Sequence, residues 1–262
     1  MKVSQYDFLP EKFDNLEVNT IFPVKKVIIC TTPRTAGHAV ANHMRIAGWG
    51  IPAEYFHPVM ATAIDERWPN KTAISFTEIM NNAKSYGENL LQHRVNNGVF
   101  AAKIFPYDFY YLKKSIGSKN ISYIYLERSD IASQLVSLVA FYFTGRPFDS
   151  DLELSISKKI EVINEALIYK TYKVLLAQIR YWEVFFEKIE PSDWIRIKME
   201  DFVANPSFYM KQISTQFNIP ISSAYFEADF LEHRYSKDRE IKDEIFLKFG
   251  YFIKSLVPDS AR

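Results

Sequence analysis

The chain has 262 residues, enough for one large core, and its 48% hydrophobic and 24% charged content is that of a soluble globular protein. A net charge of +1 removes the electrostatic case for nucleic acid or an anionic membrane as the main partner, so any anion site must be local. A single cysteine, Cys30, excludes an internal disulfide, no apolar run approaches the ~18 residues of a membrane span, and residues 1–10 lack a signal pattern, so a cytoplasmic protein is expected.

Residues 1–24 read as a polar lead-in. Val27, Ile28, Ile29 and Cys30 form a buried strand. Residues 31–37 are a short polar turn. From His38 the spacing is helical, with Val40, Met44 and Ala47 on one face and Gly48 as the stop. Pro52 and Pro58 bracket an extended segment that holds Glu54 among apolar and aromatic neighbours. Residues 74–86 read as one helix, and Asn96, Asn97 and Gly98 as a turn. Residues 99–105 are a second buried strand, ended by Pro106, and an aromatic helix follows over 107–114. After a turn at 117–120, residues 121–126 are a third strand.

Asp130 can cap the next helix, which carries Ile131, Leu135, Leu138 and Val139 and runs to Phe143. Thr144, Gly145, Arg146 and Pro147 break it. Residues 152–189 keep helical spacing through Ile160, Ile163, Leu167, Leu175, Ile179, Trp182 and Phe186. One helix of that length would span ~55 Å, so a break is expected. Residues 194–198 are a fourth strand, 201–206 a turn, and 207–217 a helix ended by Ile219 and Pro220. The tail from Ser222 is charged and aromatic, with Arg234, Lys237, Arg239 and Lys242 as a basic cluster. Strands alternating with helices predict an α/β fold: a central, mostly parallel sheet with helices on both faces, as one domain over 1–262.

Ligands of open α/β sheets bind at the carboxyl ends of strands. Arg34 follows the first strand and Arg128 the third, with Ser137 about two turns into the next helix. A strand–loop–helix turn aims N–H groups and a helix dipole at one spot, which suits a phosphate. The patterns GxxxxGK[ST] and GxGxxG are both missing. On the loop alone, a phosphate site and an ordinary βα turn with an arginine read equally well. Arg128 could equally pair with Glu127 or Asp130, and Ser137 could be a helix-surface hydroxyl. The five histidines show no metal-ligand spacing, so no structural metal is expected.

Together, these pieces resemble the sulfotransferases, in particular the bacterial branch of trehalose 2-sulfotransferase and the nodulation-factor sulfotransferases. Residues 29–35 (Ile29 through Pro33, Arg34 and Thr35) look like the family's 5′-phosphosulfate loop. Pro52, Glu54, Tyr55 and Phe56 are similar to its Glu-Tyr-Phe segment, whose glutamate is the proposed base. Glu127, Arg128, Ser129 and Asp130, with Gln134 and Ser137, look like its 3′-phosphate motif. Trp182, Phe185, Phe186, Pro191, Glu200, Asp201, Asn205 and Pro206 resemble its later signature.

The resemblance implies a P-loop-like sulfotransferase fold and transfer of a sulfuryl group from 3′-phosphoadenylyl sulfate (PAPS), leaving PAP. The acceptor would be a hydroxyl of a carbohydrate or of another small-molecule or lipid-linked compound. It implies Arg34 and Glu54 as catalytic groups, with Arg34, Thr35, Ala36, Gly37, His38, Ala39, Arg128 and Ser137 binding the donor. A homodimer, and a 222–262 tail packed on or near the donor site, are expectations of the same kind.

The loop departs from the family in one place. The family's Gly-Ser/Thr-Thr is Ala36, Gly37 and His38 here, so two hydroxyl donors are absent. Their loss would weaken donor binding by roughly one to three orders of magnitude. His38 either replaces one as an imidazole donor or faces solvent. A binding protein of the same fold without turnover, and a nucleotide or nucleoside kinase, are the rival readings.

Overall fold

The computed structural model describes residues 25–66, 75–143, 163–228 and 239–257. The lead-in 1–24, the break at 144–147, the pattern over 152–162 and the cations Arg234 and Lys237 lie outside the described residues, as does the Arg239 side chain.

Five strands form one sheet: β1 (Lys25–Thr31), β2 (Val95–Asn96), β3 (Val99–Ile104), β4 (Ile121–Glu127) and β5 (Trp194–Lys198), in the order β2-β3-β1-β4-β5. β1 lies at the centre, parallel to β3 on one side and β4 on the other, and β5 continues the parallel set. Among the described strands only the short β2 is antiparallel. It joins β3 through Asn97 and Gly98, both at positive φ, the turn that the Asn-Gly pair favours.

The helices are α1 (Gly37–Ile46), α2 (Pro58–Asp65), α3 (Phe76–Asn81), α4 (Ala83–His93), α5 (Phe109–Ile116), α6 (Ile131–Phe143), α7 (Glu165–Phe186), α8 (Met199–Ala204), α9 (Pro206–Phe217), α10 (Ala224–Glu227) and α11 (Arg239–Leu256). Period-two alternation sorts the strand residues between two cores. Ile28, Cys30, Ala102, Ile104, Tyr123 and Tyr125 meet α2 to α5 and the end of α7. Val27, Ile29, Ala101, Ile124, Leu126 and Ile197 meet α1 and α8 to α10. A third core joins α6, α7 and α11 through Leu135, Val139, Leu175 and Ile245. The architecture is therefore α/β, with a mostly parallel sheet and helices on both faces.

Three elements differ from the sequence expectations. The single helix expected over 74–86 is two, α3 and α4, which meet at Asn82 (φ −100°, ψ 32°). Asparagine competes for the helix backbone, and the redirected α4 packs on α5 so closely that a Cβ on Gly87 would lie 2.1 Å from the Ser115 carbonyl oxygen. Residues 201–204, expected as turn, belong to α8, whose first turn holds Glu200 and Asp201 where a helix dipole favours acids. The tail contains α11, eighteen residues long, with Ile241, Ile245 and Ile253 buried. Of the stretch 152–189, α7 is the described helix, and it begins after Asn164, whose side chain accepts from the Leu167 N–H and caps it.

Candidate active site

The loop between β1 and α1 turns tightly. Arg34 (φ 67°) and Ala36 (φ 54°) both hold the left-handed conformation, and Ala36 is the N-cap of α1. Each costs about 1–2 kcal/mol in a residue other than glycine, so other contacts must impose the shape. Gln134 Nε2 on α6 donates to Thr32 Oγ1 (2.8 Å) and to the Pro33 carbonyl (2.7 Å). Trp182 Nε1 on α7 donates to the Thr31 carbonyl at 2.8 Å.

The Thr35 hydroxyl, expected to face a phosphate, is buried instead and donates to the Thr32 carbonyl at 2.9 Å, with Thr31 Oγ1 as its other neighbour. It braces the loop from inside. The Ala39 N–H already bonds to the Ala36 carbonyl at 2.8 Å, closing the first turn of α1.

On one side of this loop the two arginines and the serine picked out in the sequence come together. Arg34 Nε donates to Ser137 Oγ at 2.8 Å, and its guanidinium carbon lies 5.6 Å from the Phe141 ring centre. Arg128 Nη1 donates to the Arg34 carbonyl at 3.2 Å. The acids nearest Arg128 in sequence serve other partners. Glu127 pairs with Arg196 at 2.9 Å, and Asp130 caps α6 by accepting from the Ser133 N–H at 2.8 Å. Glu200 accepts from the Ser129 N–H at 3.1 Å. Among the described residues no carboxylate lies within 4.0 Å of Arg128, and its buried Nε has no hydrogen-bond partner. Burial pushes the Arg128 pKa down.

On the other side lies Glu54. Its segment docks on the end of β3 because the Lys103 N–H donates to the Ala53 carbonyl at 2.9 Å. Lys103 Nζ then meets Glu54 Oε1 at 2.5 Å, and His38 Nε2 is 4.0 Å from the same oxygen. The side chains are 6% (Lys103), 19% (Glu54) and 59% (His38) exposed. Alternation along β3 sends Lys103 to the α1 face, under the first turn of that helix. Gly37 makes room for it: a Cβ there would lie 2.8 Å from Lys103 Cδ. Burial raises the Glu54 pKa, but Lys103, then His38 and His57, outweigh it and hold the carboxyl below its usual range.

Beyond Lys103 the wall is aromatic. Its ammonium is 5.2 Å from the Phe105 ring centre, and Phe105 stacks on the half-exposed Tyr107 at 5.5 Å. The neighbouring Asp108 is buried, and burial plus the charge of Glu54 pushes its pKa up to about 8. Two carboxyls of one site are thus shifted in opposite directions.

Lys103 was absent from the expected site, although a lysine inside the apolar run Val99, Phe100, Ala101, Ala102, Ile104 and Phe105 was a signal for it. Asp108 gave no such signal. A cavity of about 680 Å³ lies at the opposite end of the sheet, beside Lys25, Asn120 and Ser122, and holds none of the expected site residues. Among the described residues no helix is long and apolar enough to cross a membrane.

No family model matches the chain, and no curated protein matches it. Among solved structures it is similar to the sulfotransferase domain from the curacin biosynthetic pathway, at 14% identity and a TM-score of 0.49, over 86% of this chain and 87% of that one. The sulfotransferase domain from the Synechococcus PCC 7002 olefin synthase is 12% identical with a TM-score of 0.43, over 88% and 84% of the two chains. A sulfotransferase from Alicyclobacillus acidocaldarius is 12% identical with a TM-score of 0.44, over 88% and 95%.

Proposed function

We propose that this protein is a PAPS-dependent sulfotransferase that moves a sulfuryl group to a hydroxyl of a carbohydrate or of another small-molecule or lipid-linked acceptor. The observation that carries the reading is the convergence of Arg34, Arg128 and Ser137 at the carboxyl ends of β1 and β4, with the Arg128 Nε buried and unpartnered and Asp130 and Glu200 acting on that guanidinium only from beyond ion-pair distance. A half-buried guanidinium with a buried, orphaned Nε–H fits an anionic ligand. In this reading Arg128 and Ser137 hold the 3′-phosphate, which separates PAPS from ATP. The main-chain N–H groups of Thr35, Ala36, Gly37 and His38 face the 5′-phosphate, and the Ala39 N–H helps only by sharing its bond to Ala36.

Bound PAPS supplies an activated sulfuryl group on a phosphate leaving group. Positioning and charge then dominate, as in phosphoryl transfer. Arg34 stabilises the charge that develops on the bridging and leaving oxygens. Glu54 removes the acceptor proton. Lys103 adds a second cation beside the reacting centre and couples the two roles. While it binds Glu54 it keeps that carboxylate charged but weakly basic. An anionic sulfuryl group competes for the ammonium, and Glu54 gains proton affinity as Lys103 turns away. The same reading takes the chain as one cytoplasmic, homodimeric domain with its tail near the donor site.

The inward Thr35 hydroxyl and the absent loop hydroxyls favour, as the second reading, a binding protein of this fold with a weaker donor grip and no turnover. Labelled-sulfate transfer from PAPS to a panel of hydroxyl acceptors separates the two. Wild-type protein should transfer label, and Glu54→Gln should lose transfer by at least about 100-fold while keeping its affinity for PAP. A fully active Glu54→Gln variant would remove Glu54 as the base.

A further inference from the structure

We propose that His38 is the proton outlet of the site, taking from Glu54 the proton that leaves the acceptor hydroxyl and passing it to solvent. The inference rests on the reading of Glu54 as the base. His38 is the second residue of α1, and its Nε2 lies 4.0 Å from Glu54 Oε1, on the carboxylate oxygen that Lys103 also holds. One bridging water, or a small rotation of the ring, spans that distance. Exposure rises along the series Lys103 (6%), Glu54 (19%) and His38 (59%), so the imidazole connects an enclosed carboxyl to bulk water.

The chemistry requires such a group. When Lys103 returns to Glu54 after transfer it again holds the carboxyl below its usual range, so a proton left there is poorly retained. An ammonium has no lone pair with which to receive it. An imidazole, with an ordinary pKa of ~6.5 against ~4.3 for a glutamate, is the better resting place at neutral pH.

The step balances without an oxidant or a metal. The acceptor O–H bond breaks as its oxygen bonds to sulfur and the bond from sulfur to the phosphate oxygen breaks. The proton moves to Glu54, then to His38 Nε2, and the proton on His38 Nδ1 leaves to water. His57 also acts on Glu54, more weakly than His38, and is the control. The role is distinct from donor binding, in which the His38 imidazole would grip phosphate.

The test is steady-state sulfate transfer from PAPS by wild type, His38→Gln and His57→Gln, with and without free imidazole, alongside ring resonances of His38 in wild type and Glu54→Gln. The relay predicts that His38→Gln lowers kcat about 10- to 100-fold at pH 7 with KM for PAPS unchanged. Imidazole restores the rate saturably, the acid limb of the kcat profile disappears, and His57→Gln stays within about threefold of wild type. The His38 resonances shift in Glu54→Gln. A raised KM for PAPS with kcat intact overturns the relay and makes His38 a donor ligand. An active enzyme whose His38→Gln variant gains nothing from imidazole also overturns it. If wild type transfers no sulfate while the His38 resonances still respond to Glu54→Gln, the sulfotransferase reading itself has failed, and the relay with it.

Discussion

The two sides of the β1–α1 loop solve opposite electrostatic problems. On the Arg34, Arg128 and Ser137 side, the half-buried Arg128 has no carboxylate within 4.0 Å among the described residues and feels Asp130 and Glu200 only at longer range, while the neighbouring acids are occupied by Arg196, by a helix cap and by main-chain N–H groups. On the Glu54 side, charge is compensated at 2.5 Å by Lys103. An uncompensated cation costs folding energy and gains it back when an anion binds. A compensated pair stabilises the free protein and must be opened for work. The first arrangement suits binding, the second suits a base kept ready for a step.

The comparison can be broken at several points. The largest effect is expected at Asp108. Its folded-state carboxyl keeps its proton to about pH 8, whereas the unfolded one releases it near pH ~3.9. Between those values the unfolded state binds fewer protons, so stability falls as pH rises, on the order of 5 kcal/mol in all. Asp108→Asn should flatten that slope in urea unfolding between pH 5 and 9, chosen to span the upper part of that window. An unchanged slope would mean that Asp108 ionises normally.

Next is Lys103→Met, which strands Glu54 as a largely buried anion and should cost about 3 kcal/mol in the urea midpoint at pH 7. A cost under ~0.5 kcal/mol would show that the pair is solvated like a surface bridge. On the opposite side, Arg128→Ala should leave stability nearly unchanged but weaken PAP about 10- to 100-fold, and 5′-AMP far less. Equal losses for both nucleotides would remove Arg128 from the 3′-phosphate site. The smallest effect is expected for Gly37→Ala, where the new Cβ meets Lys103 Cδ at 2.8 Å. Overpacking there should cost about 1–2 kcal/mol, and a neutral substitution would mean that the lysine stem moves aside freely.

The convergence of Arg34, Arg128 and Ser137 was legible in the sequence because each of its parts follows from local pattern. A strand of four apolar residues ends in an arginine, a second strand ends in another, and a capped helix carries Ser137 inward. The base side was legible only at Glu54. Its partner lies 49 positions away, on a strand whose register with β1 sets Lys103 opposite Ile29, and that pairing is a tertiary fact. The direction of the Thr35 hydroxyl was hidden for a similar reason. A hydroxyl in a phosphate-type loop reads as a ligand, but here the left-handed backbone at Arg34 and Ala36 turns it toward Thr32. The same limit hid α11, whose isoleucines and Phe246, Phe249 and Phe252 pack on α6 and α7 far back in the sequence.

The most direct test of the central claim is calorimetric titration of the protein with PAP, with ATP plus magnesium in parallel. The account predicts that PAP binds and that ATP does not compete, because Arg128 and Ser137 read a 3′-phosphate. No heat from PAP, or binding of magnesium ATP in its place, would contradict the donor site and with it the sulfotransferase reading.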